Sequence, residues 1–363
     1  MTSHAPSSSS TLDRRGFLRA TGAGLLGLSA LALTGCGTGN SSTTDTGPLT
    51  QVRYALIGDG NAEPGTVLRH GLGGFDVSAD LGGVPIQWPT GFPASLPVME
   101  AIKSGSVDFS FATATAVIYA IGGGVPIVPL VAYPLPSDEV DILVPQGSTI
   151  RSVTDLKGRK VADHRGTTGT YSLVKYLESA GLTIDDIEYV NLTAADAEAA
   201  FAQGKVDAWI TWQPMAELAQ RKHNAVTLPG VRTYDYAFFV ASESFANNHP
   251  QQTATLVRSV RDAQRWIDAN PEAAVSEFTR LGGFAGSELE AQVYLDLVRA
   301  GRLSYSGAGD FTTIGADAIA GTQDLADNFH RLGVYPDRVD VTTWLQDPRF
   351  DSIKSVIDQE LAK

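Results

Sequence analysis

A glycine- and threonine-rich stretch, HRGTTGTY at residues 164–171, combines residue types that can bind an anion. It lies between an apolar stretch typical of a strand and the stretch YSLVKYLESAGL, whose apolar spacing is typical of a helix. The first backbone N–H groups of a helix have no helical partner, and the helix dipole adds partial positive charge there. A negatively charged group is therefore favoured at this position. Threonine hydroxyls add donors without a fixed charge, and the candidate residues are Thr167, Thr168, Gly169 and Thr170.

The same residues can instead form an ordinary threonine N-cap, so both interpretations stay open. The nearest formal cations are His164 and Arg165, and either side chain can simply face solvent. Neutral donors at short range outweigh distant, screened carboxylates, so an acidic protein can still bind an anion. Desolvation of a divalent phosphate would cost more free energy and would require further positive groups. We therefore expect a singly charged or neutral ligand.

Cys36 is the only cysteine in the 363 residues, which excludes an internal disulfide and metal sites built on paired cysteines. It follows an uncharged, glycine- and alanine-rich run at residues 20–35 and the basic stretch DRRGFLRA, which contains Arg14 and Arg15. A run of this length at helical rise reaches only about 24 Å, less than the ~30 Å hydrocarbon core of a membrane. This order of basic, apolar and small residues is typical of a signal peptide.

The adjacent arginines resemble the signal of the twin-arginine export route, and LTGC at residues 33–36 resembles a bacterial lipobox. We therefore expect removal of residues 1–35, lipidation of Cys36 and a flexible Gly/Ser/Thr-rich tether over residues 36–50. Removal takes away three arginines and one aspartate, so the net charge changes from −13 to −15. The alternative is a membrane helix with a chance cysteine. The lipoprotein interpretation predicts an exported protein anchored to the outer face of the cell membrane.

Composition indicates a globular chain with room for two or three domain-sized units, since 43% of the residues are hydrophobic and 18% are charged. The net charge of −13 argues against nucleic-acid binding, which needs dense Lys and Arg. The six histidines lack metal-ligand spacing, and neither a Gly-x-Ser-x-Gly elbow nor a P-loop is present. We therefore expect no metal, no cofactor and no catalysis.

A degenerate repeat connects MEAIKSGSVDFSFAT at residues 99–113 with EAAFAQGKVDAWITW at residues 198–212. Each copy has a helix end, a glycine (Gly105 or Gly204), Val-Asp and a short apolar strand. An apolar strand followed by a Gly-rich loop precedes both copies. Repeated strand–helix alternation predicts two α/β lobes, each with a parallel sheet covered by helices, rather than a single large domain.

Two extended apolar stretches, VDILVPQGS at residues 140–148 and YAFFVASESF at residues 236–245, bracket the second copy and are predicted to connect the lobes. On this basis lobe 1 comprises residues 51–140 and 241–363, and lobe 2 comprises residues 141–240. Ligands of such sheets bind beyond the carboxyl ends of the strands. Two crossings between lobes therefore predict a cleft that closes by hinge motion.

Several blocks together resemble one family: SGSVDF, ILVPQGSTIRSVTDLKGRKVA, AGLTIDDIEYVNLTAADAEAAFAQGKVDAWITWQP, FFVAS and NFHRLGVYP. They are similar to substrate-binding lipoproteins of ABC importers for aliphatic sulfonates, taurine and nitrate, over roughly residues 51–340. The resemblance implies the two-lobed type II periplasmic-binding-protein fold, with two Rossmann-like lobes joined by a two-strand hinge. It further implies a monomer that delivers a small organic anion, an aliphatic sulfonate or a taurine-like compound, to a permease and ATPase complex.

The resemblance also implies that the loops FPASLP (92–97) and FATATAV (111–117) complete the anion site, with Ser95, Thr113 and Thr115 as polar candidates. Each of these can also be a routine turn or cap residue. Trp212 would form an apolar wall for an alkyl chain, or alternatively pack in the core of lobe 2. Gln213 departs from the family, because many relatives have an acid there. Thr170 likewise stands where several sulfonate binders carry another polar side chain.

Other ligands and one other role remain compatible with the resemblance. Nitrate or a thiamine-precursor pyrimidine can use a similar site, and a ligand sensor can use the same cleft. One enzyme group with this fold makes the thiamine pyrimidine but carries a cysteine-rich segment, which this sequence lacks. The chain is therefore expected to bind rather than to catalyse.

Overall fold

The computed structural model describes residues 47–58 and 62–363. The predicted signal peptide, Cys36 and most of the predicted tether lie outside the described residues. Three residues of the loop after the first strand, 59–61, also lie outside them. Within the described part, every helix is too short or too polar to cross a membrane.

The described residues form two mixed sheets of five strands each. In chain order the strands are Val52–Ala55 (β1), Ile86–Gln87 (β2), Phe109–Thr113 (β3), Ile127–Pro134 (β4), Val140–Val144 (β5), Lys160–Asp163 (β6), Glu188–Asn191 (β7), Ala208–Trp212 (β8), Val226–Thr227 (β9) and Tyr236–Ser242 (β10). The strand order is β2-β1-β3-β10-β4 in the first sheet and β7-β6-β8-β5-β9 in the second. In each sheet the fourth strand of this order runs antiparallel to its neighbours. The prediction of purely parallel sheets was therefore wrong for β10 and β5.

Helices cover both faces of both sheets. They are Pro64–His70 (α1), Val77–Asp80 (α2), Ser95–Lys103 (α3), Ala114–Gly122 (α4), Thr168–Ser179 (α5), Ala194–Ala202 (α6), Met215–His223 (α7), Glu243–Asn248 (α8), Pro250–Ala269 (α9), Pro271–Arg280 (α10), Glu288–Ala300 (α11), Ala316–Arg331 (α12), Val341–Leu345 (α13) and Asp351–Leu361 (α14). On the first sheet, α1, α9, α11 and α14 pack on one face and α3, α4, α12 and α13 on the other. On the second sheet, α5 packs on one face and α6 and α7 on the other.

The repeated Gly-x-Val-Asp motif has the same structural role in both sheets. Gly105 and Gly204 adopt left-handed φ angles of 74° and 67° just beyond α3 and α6, which glycine allows without strain. The carboxylate of Asp108 accepts a 2.8 Å hydrogen bond from the backbone N–H of Arg53, next to the first residue of β1. The carboxylate of Asp207 accepts a 2.8 Å bond from the N–H of Lys160, the first residue of β6. Each aspartate thus ties one parallel strand to the start of its neighbour.

The chain crosses between the sheets at residues 135–139 and 228–235, outside the stretches predicted as connections. Residues 140–148 and 236–245 instead begin with β5 and β10. Both strands are almost completely buried, and a continuous apolar run is typical of a strand covered on two faces. The predicted boundary at residues 240 and 241 consequently falls inside β10.

The two crossings are hydrogen-bonded to each other. The N–H of Leu135 donates to the carbonyl of Asp235 at 3.0 Å, and the N–H of Thr233 donates to the carbonyl of Ser137 at 2.9 Å. Thr233 also accepts a bond from the N–H of Val140 through its hydroxyl, at 3.0 Å. The connection between the sheets is therefore a paired, two-stranded ribbon.

Candidate functional site

The candidate site lies where the carboxyl ends of the parallel strands face the two crossings. On the side of the first sheet, β3 ends at Thr113 and leads directly into α4. On the side of the second sheet, β6 ends at Asp163, four residues before the N-cap of α5. This arrangement brings helix N-termini from both sheets to one seam, as expected for ligand sites in such folds.

Three predicted residues from the first sheet lie together. The hydroxyl of Ser95, the first residue of α3, accepts a 3.3 Å hydrogen bond from the backbone N–H of Thr113. The hydroxyls of Thr113 and Thr115 are 3.1 Å apart. Ser95 and Thr115 are buried, whereas Thr113 keeps part of its surface exposed. Two separate loops therefore meet at the start of α4.

On the second side, the threonine hydroxyls are already used inside the protein. Thr170 donates to the carboxylate of Asp163 at 2.5 Å, and Thr168 donates to the carboxylate of Asp235 at 2.7 Å. Thr167 donates to a backbone carbonyl at 2.8 Å. In this structure the three hydroxyls donate to acceptors inside the protein, so their role as donors to a ligand stays a prediction.

The backbone N–H groups of Thr168 and Gly169 remain available. They are the first two in α5, and neither has a hydrogen-bond partner within the described residues. The helix is twelve residues long, so its dipole adds to the pull on an anion. A Cβ at Gly169 would lie 3.0 Å from Oδ1 of Asp163 and 3.3 Å from Oγ1 of Thr167. Glycine therefore lets this turn pack tightly around Asp163.

Two further residues, from distant parts of the chain, bond the helix starts at the seam, and sequence reasoning missed both. Asp235, on the second crossing, bonds Thr168. The hydroxyl of Tyr335 donates to the carbonyl of Thr115 at 2.8 Å, and burial raises its pKa well above the usual range, with Asp235 adding to the effect. Arg165, one of the two predicted cations, is exposed and donates to the carbonyl of Leu332 at 3.1 Å. The stretch NFHRLGVYP resembles the family, but no local pattern in it indicates these contacts.

Trp212 and Gln213 differ in their surroundings. Trp212 is partly buried against the core of the second sheet, and its ring lies 6.4 Å from that of His164, next to the Gly/Thr loop. Gln213 is 2% exposed, and its side-chain amide donates to Asp141 at 3.1 Å and accepts from the N–H of Glu217 at 3.1 Å. The amide of Gln213 is thus engaged within the second half of the structure.

Buried acids dominate the electrostatics of the seam. Burial raises the pKa of Asp163 and of Asp235 to about 6. Burial raises the pKa of Glu139, on the first crossing, to about 8, and nearby Asp235 and Asp141 add to the shift while the Ser304 hydroxyl opposes it. Burial also raises the pKa of Asp141 to about 6, and the positive charge of Arg302 opposes that shift. The seam therefore combines buried carboxyl groups with the backbone N–H groups at the start of α5.

A cavity of about 200 Å³ lies between α7 and α11. Its lining includes Ala62, Pro214 and Tyr294, so it adjoins the loop after β1 as well as the end of β8. Phe284 also lines it, in a turn where Phe284 and Ala285 adopt left-handed φ angles of 59° and 46°. Such backbone strain in residues other than glycine is often found near functional sites.

The two sheets, the paired crossings and the helix N-termini at the seam define a two-lobed α/β binding-protein fold. The model of the NMT1/THI5-like family matches residues 91–274, just over half of the chain, and the chain belongs to this family. The matched part contains α3, β3, the Gly/Thr loop and both crossings.

Two relatives cover most of the described chain. One is an aliphatic sulfonates-binding protein of Escherichia coli (strain K12), 29% identical over 72% of this chain and 80% of the relative. The other is the taurine-binding periplasmic protein of the same organism, 27% identical over 61% of this chain and 71% of the relative. The resemblance to aliphatic sulfonate- and taurine-binding proteins stated from the sequence blocks is confirmed.

Solved structures show the same fold. The periplasmic aliphatic sulphonate binding protein SsuA from Escherichia coli matches with a TM-score of 0.68 at 26% identity, over 80% of this chain and 90% of that chain. The predicted periplasmic-binding-protein fold is therefore confirmed. The desulfurization enzyme DSZB also matches, with a TM-score of 0.55 at 15% identity over 84% of this chain and 99% of that chain. That likeness concerns the fold alone, so the fold by itself does not decide between binding and catalysis.

Proposed function

We propose that the protein is an extracytoplasmic solute-binding protein that delivers a small organic anion, an aliphatic sulfonate or a taurine-like compound, to an ABC permease. The observation that carries this proposal is the pair of N–H groups of Thr168 and Gly169 at the seam, which have no hydrogen-bond partner among the described residues. Backbone donors at a helix N-terminus favour a sulfonate or another singly charged group. The named relatives that cover most of the chain are binding proteins, which supports binding rather than catalysis.

The contacts across the seam support a mechanism by lobe closure. On one side, Lys175 of α5 pairs with Asp324 of α12 at 3.2 Å, and Arg331 pairs with Glu178 at 2.6 Å. On the other side, Arg221 of α7 pairs with Asp296 of α11 at 2.7 Å. Since α11 and α12 pack on the first sheet, opening the seam would break these pairs. A ligand that contacts both lobes then stabilises the closed form relative to the open one.

The location and anchor form part of the same proposal. A signal peptide followed by lipidated Cys36 would keep the protein at the outer face of the membrane, within reach of its permease. The tether over residues 36–50 would give the binding domain freedom to dock. The periplasmic relatives support an extracytoplasmic location.

A thermal-shift titration of the purified protein tests the ligand class, because a ligand that binds only the native state raises the melting temperature. Short alkanesulfonates and taurine are compared with nitrate, inorganic phosphate and an aminopyrimidine. We expect a saturable rise with the sulfonates and little change with phosphate. A rise with nitrate or the pyrimidine alone would contradict the proposal.

A further inference from the structure

Glu139, the last residue of the first crossing, is a buried acid held between the two lobes. It is only 2% exposed. Its backbone carbonyl accepts a 2.9 Å bond from the N–H of Gln213, which directly follows β8 of the second sheet. Its carboxyl Oε1 accepts a 2.9 Å bond from the hydroxyl of Ser304, which follows α11 on the side of the first sheet. Glu139 therefore lies at the hinge and contacts both halves of the structure.

The arrangement around the Glu139 carboxyl favours its neutral, protonated form. Its Oε2 atom is buried and has no hydrogen-bond partner within the described residues. The charged groups that act on it are Asp235 of the second crossing and Asp141 of β5, which are both acids. A buried carboxylate in such surroundings is costly in free energy. Burial accordingly raises the pKa of Glu139 to about 8, and the bond from Ser304 opposes the shift.

The arginine at the hinge serves other acids. Arg302 pairs with Asp138 at 3.0 Å, with Asp141 at 3.3 Å and with Glu217 of α7 at 3.5 Å. In the part of the chain that the structure describes, no cationic side chain forms an ion pair with Glu139. The charge of an ionised Glu139 would therefore stay uncompensated in this form of the protein.

On the side of the first sheet, the titratable group that faces Glu139 is Tyr133 of β4. Burial raises the pKa of Tyr133 well above its ordinary value, and the charges of Glu63 and Glu139 raise it further. Its hydroxyl is therefore neutral over the range in which Glu139 titrates. The groups that face Glu139 from β4, β5 and the second crossing are thus two acids and a neutral hydroxyl.

Opening the seam would change these surroundings, because both lobes build them. Arg302 and Ser304 adjoin α11, which packs on the first sheet, whereas Gln213 and Asp141 belong to the second half. Separation of the lobes would bring water to the Glu139 carboxyl, and solvation favours the charged form. The open form would therefore lose the proton at a lower pH than the closed form does.

We propose that Glu139 is a proton-controlled switch at the hinge: the closed form holds Glu139 protonated, and loss of this proton favours the open form and release of the ligand. This inference rests on the proposed function, because it concerns the same lobe closure. The closed form holds a proton that the open form has lost, so closure weakens as the pH rises towards 8. A ligand that requires the closed form then binds more weakly at alkaline pH.

Calorimetric titrations with ethanesulfonate at about pH 6.5 and about pH 8.5 test the inference, because a sulfonate stays ionised across this range. Asp141 and Asp235, whose pKa values are about 6, titrate mostly below it. We expect the affinity of the wild type to fall about tenfold between the two conditions and that of Glu139→Gln to change about twofold or less. In two buffers of different ionisation enthalpy, binding should take up protons in the wild type and not in the variant.

Matched variants locate the effect. Ser304→Ala removes a hydrogen bond that stabilises the charged Glu139 carboxyl, so the fall in affinity should move to higher pH. Glu188→Gln removes an exposed acid of β7 and should follow the wild type. Circular dichroism at both pH values verifies that each variant is folded.

Each outcome bears on one claim. A constant affinity of the wild type would overturn the inference and leave the proposed function intact. An equal fall in Glu139→Gln would overturn the assignment to Glu139. If neither ethanesulfonate nor taurine binds, the proposed function is contradicted, and small-angle X-ray scattering of the ligand-free protein decides the inference. Expansion with rising pH in the wild type but not in Glu139→Gln would support the switch, and a profile independent of pH would overturn it.

Discussion

At Thr168 and Thr170, the side chains and the backbone have different tasks. Their hydroxyls donate to the buried carboxylates of Asp235 and Asp163, which also accept bonds from the N–H of Tyr236 and the hydroxyl of Tyr189. The N–H groups of Thr168 and Gly169 have no hydrogen-bond partner in the part of the chain that the structure describes. The threonine side chains therefore stabilise the turn, and under the proposed function the backbone N–H groups would donate to the ligand in place of the hydroxyls.

Gly169→Ala should weaken sulfonate binding. The added methyl group would lie 3.0 Å from Asp163, so the turn must shift and the N–H groups must move with it. We expect about a tenfold loss of affinity, the size expected when one good hydrogen bond is lost. Calorimetry with taurine measures the effect. Gly315→Ala is the control, because a Cβ at Gly315 would meet no atom within 4 Å. Equal affinities of the two variants would contradict a role for this turn in binding.

Glu139→Gln should also change how stability depends on pH. The pKa of Glu139 is raised from 4.5 to about 8, so between these values the folded protein holds a proton that the unfolded chain has lost. The contribution of Glu139 to the free energy of unfolding therefore decreases as the pH rises through this window. The neutral glutamine removes that contribution. Between pH 5 and 8, we expect the melting temperature of the variant to fall less than that of the wild type, with Glu188→Gln behaving like the wild type. Parallel curves for wild type and Glu139→Gln would contradict the shift.

At the scale of elements, the repeat predicted from Gly-x-Val-Asp corresponds to a shared strand pattern. β1 and β3 pair in parallel in the first sheet, as β6 and β8 do in the second. Local sequence could predict this strand pattern because each motif aspartate accepts a hydrogen bond from the backbone of the adjacent parallel strand. The antiparallel strands could not be foreseen in the same way. Each follows a crossing, and its buried apolar run does not specify strand direction.

Replacing the two motif aspartates should therefore lower the free energy of unfolding by unequal amounts. Asp207 bonds one backbone N–H, whereas Asp108 bonds a backbone N–H and also pairs with the Arg53 guanidinium at 2.6 Å. We expect Asp207→Ala to lower the free energy of unfolding by about 1 kcal/mol and Asp108→Ala by about 2–3 kcal/mol. Urea unfolding monitored by circular dichroism measures both. A larger loss for Asp207→Ala would show that the motif works differently in the two sheets.

The polar site was only partly predictable at this scale. The family resemblance implied Ser95, Thr113 and Thr115, and the structure brings these three residues together. Sequence reasoning did not identify Asp235 or Tyr335. Their partners, Thr168 and Thr115, lie far away in the chain, and only the folded crossings and the C-terminal segment bring them near.

At the scale of the whole molecule, Cys36→Ser should release the protein from the membrane. The lipobox prediction makes this thiol the attachment point for lipid, and serine cannot be lipidated there. We expect the wild type in the membrane fraction and the variant in the soluble fraction of fractionated cells, with taurine affinity unchanged in the variant. Mass spectrometry of the wild type should show a lipid-modified N-terminal Cys36. An unmodified Cys36 in a membrane-bound wild type would contradict the prediction.

The bond between Thr168 and Asp235 has a consequence for signalling within the molecule. Asp235 belongs to the ribbon that connects the halves, and its own carbonyl is held by Leu135 of the other pass of the chain. Under the proposed function, a solute bound at the start of α5 would act directly on the ribbon through the bond between Thr168 and Asp235. Ligand recognition and lobe closure would then depend on the same contact. A solute that fits poorly at Thr168 would not act on the ribbon, and the closed form that docks on the permease would not be favoured.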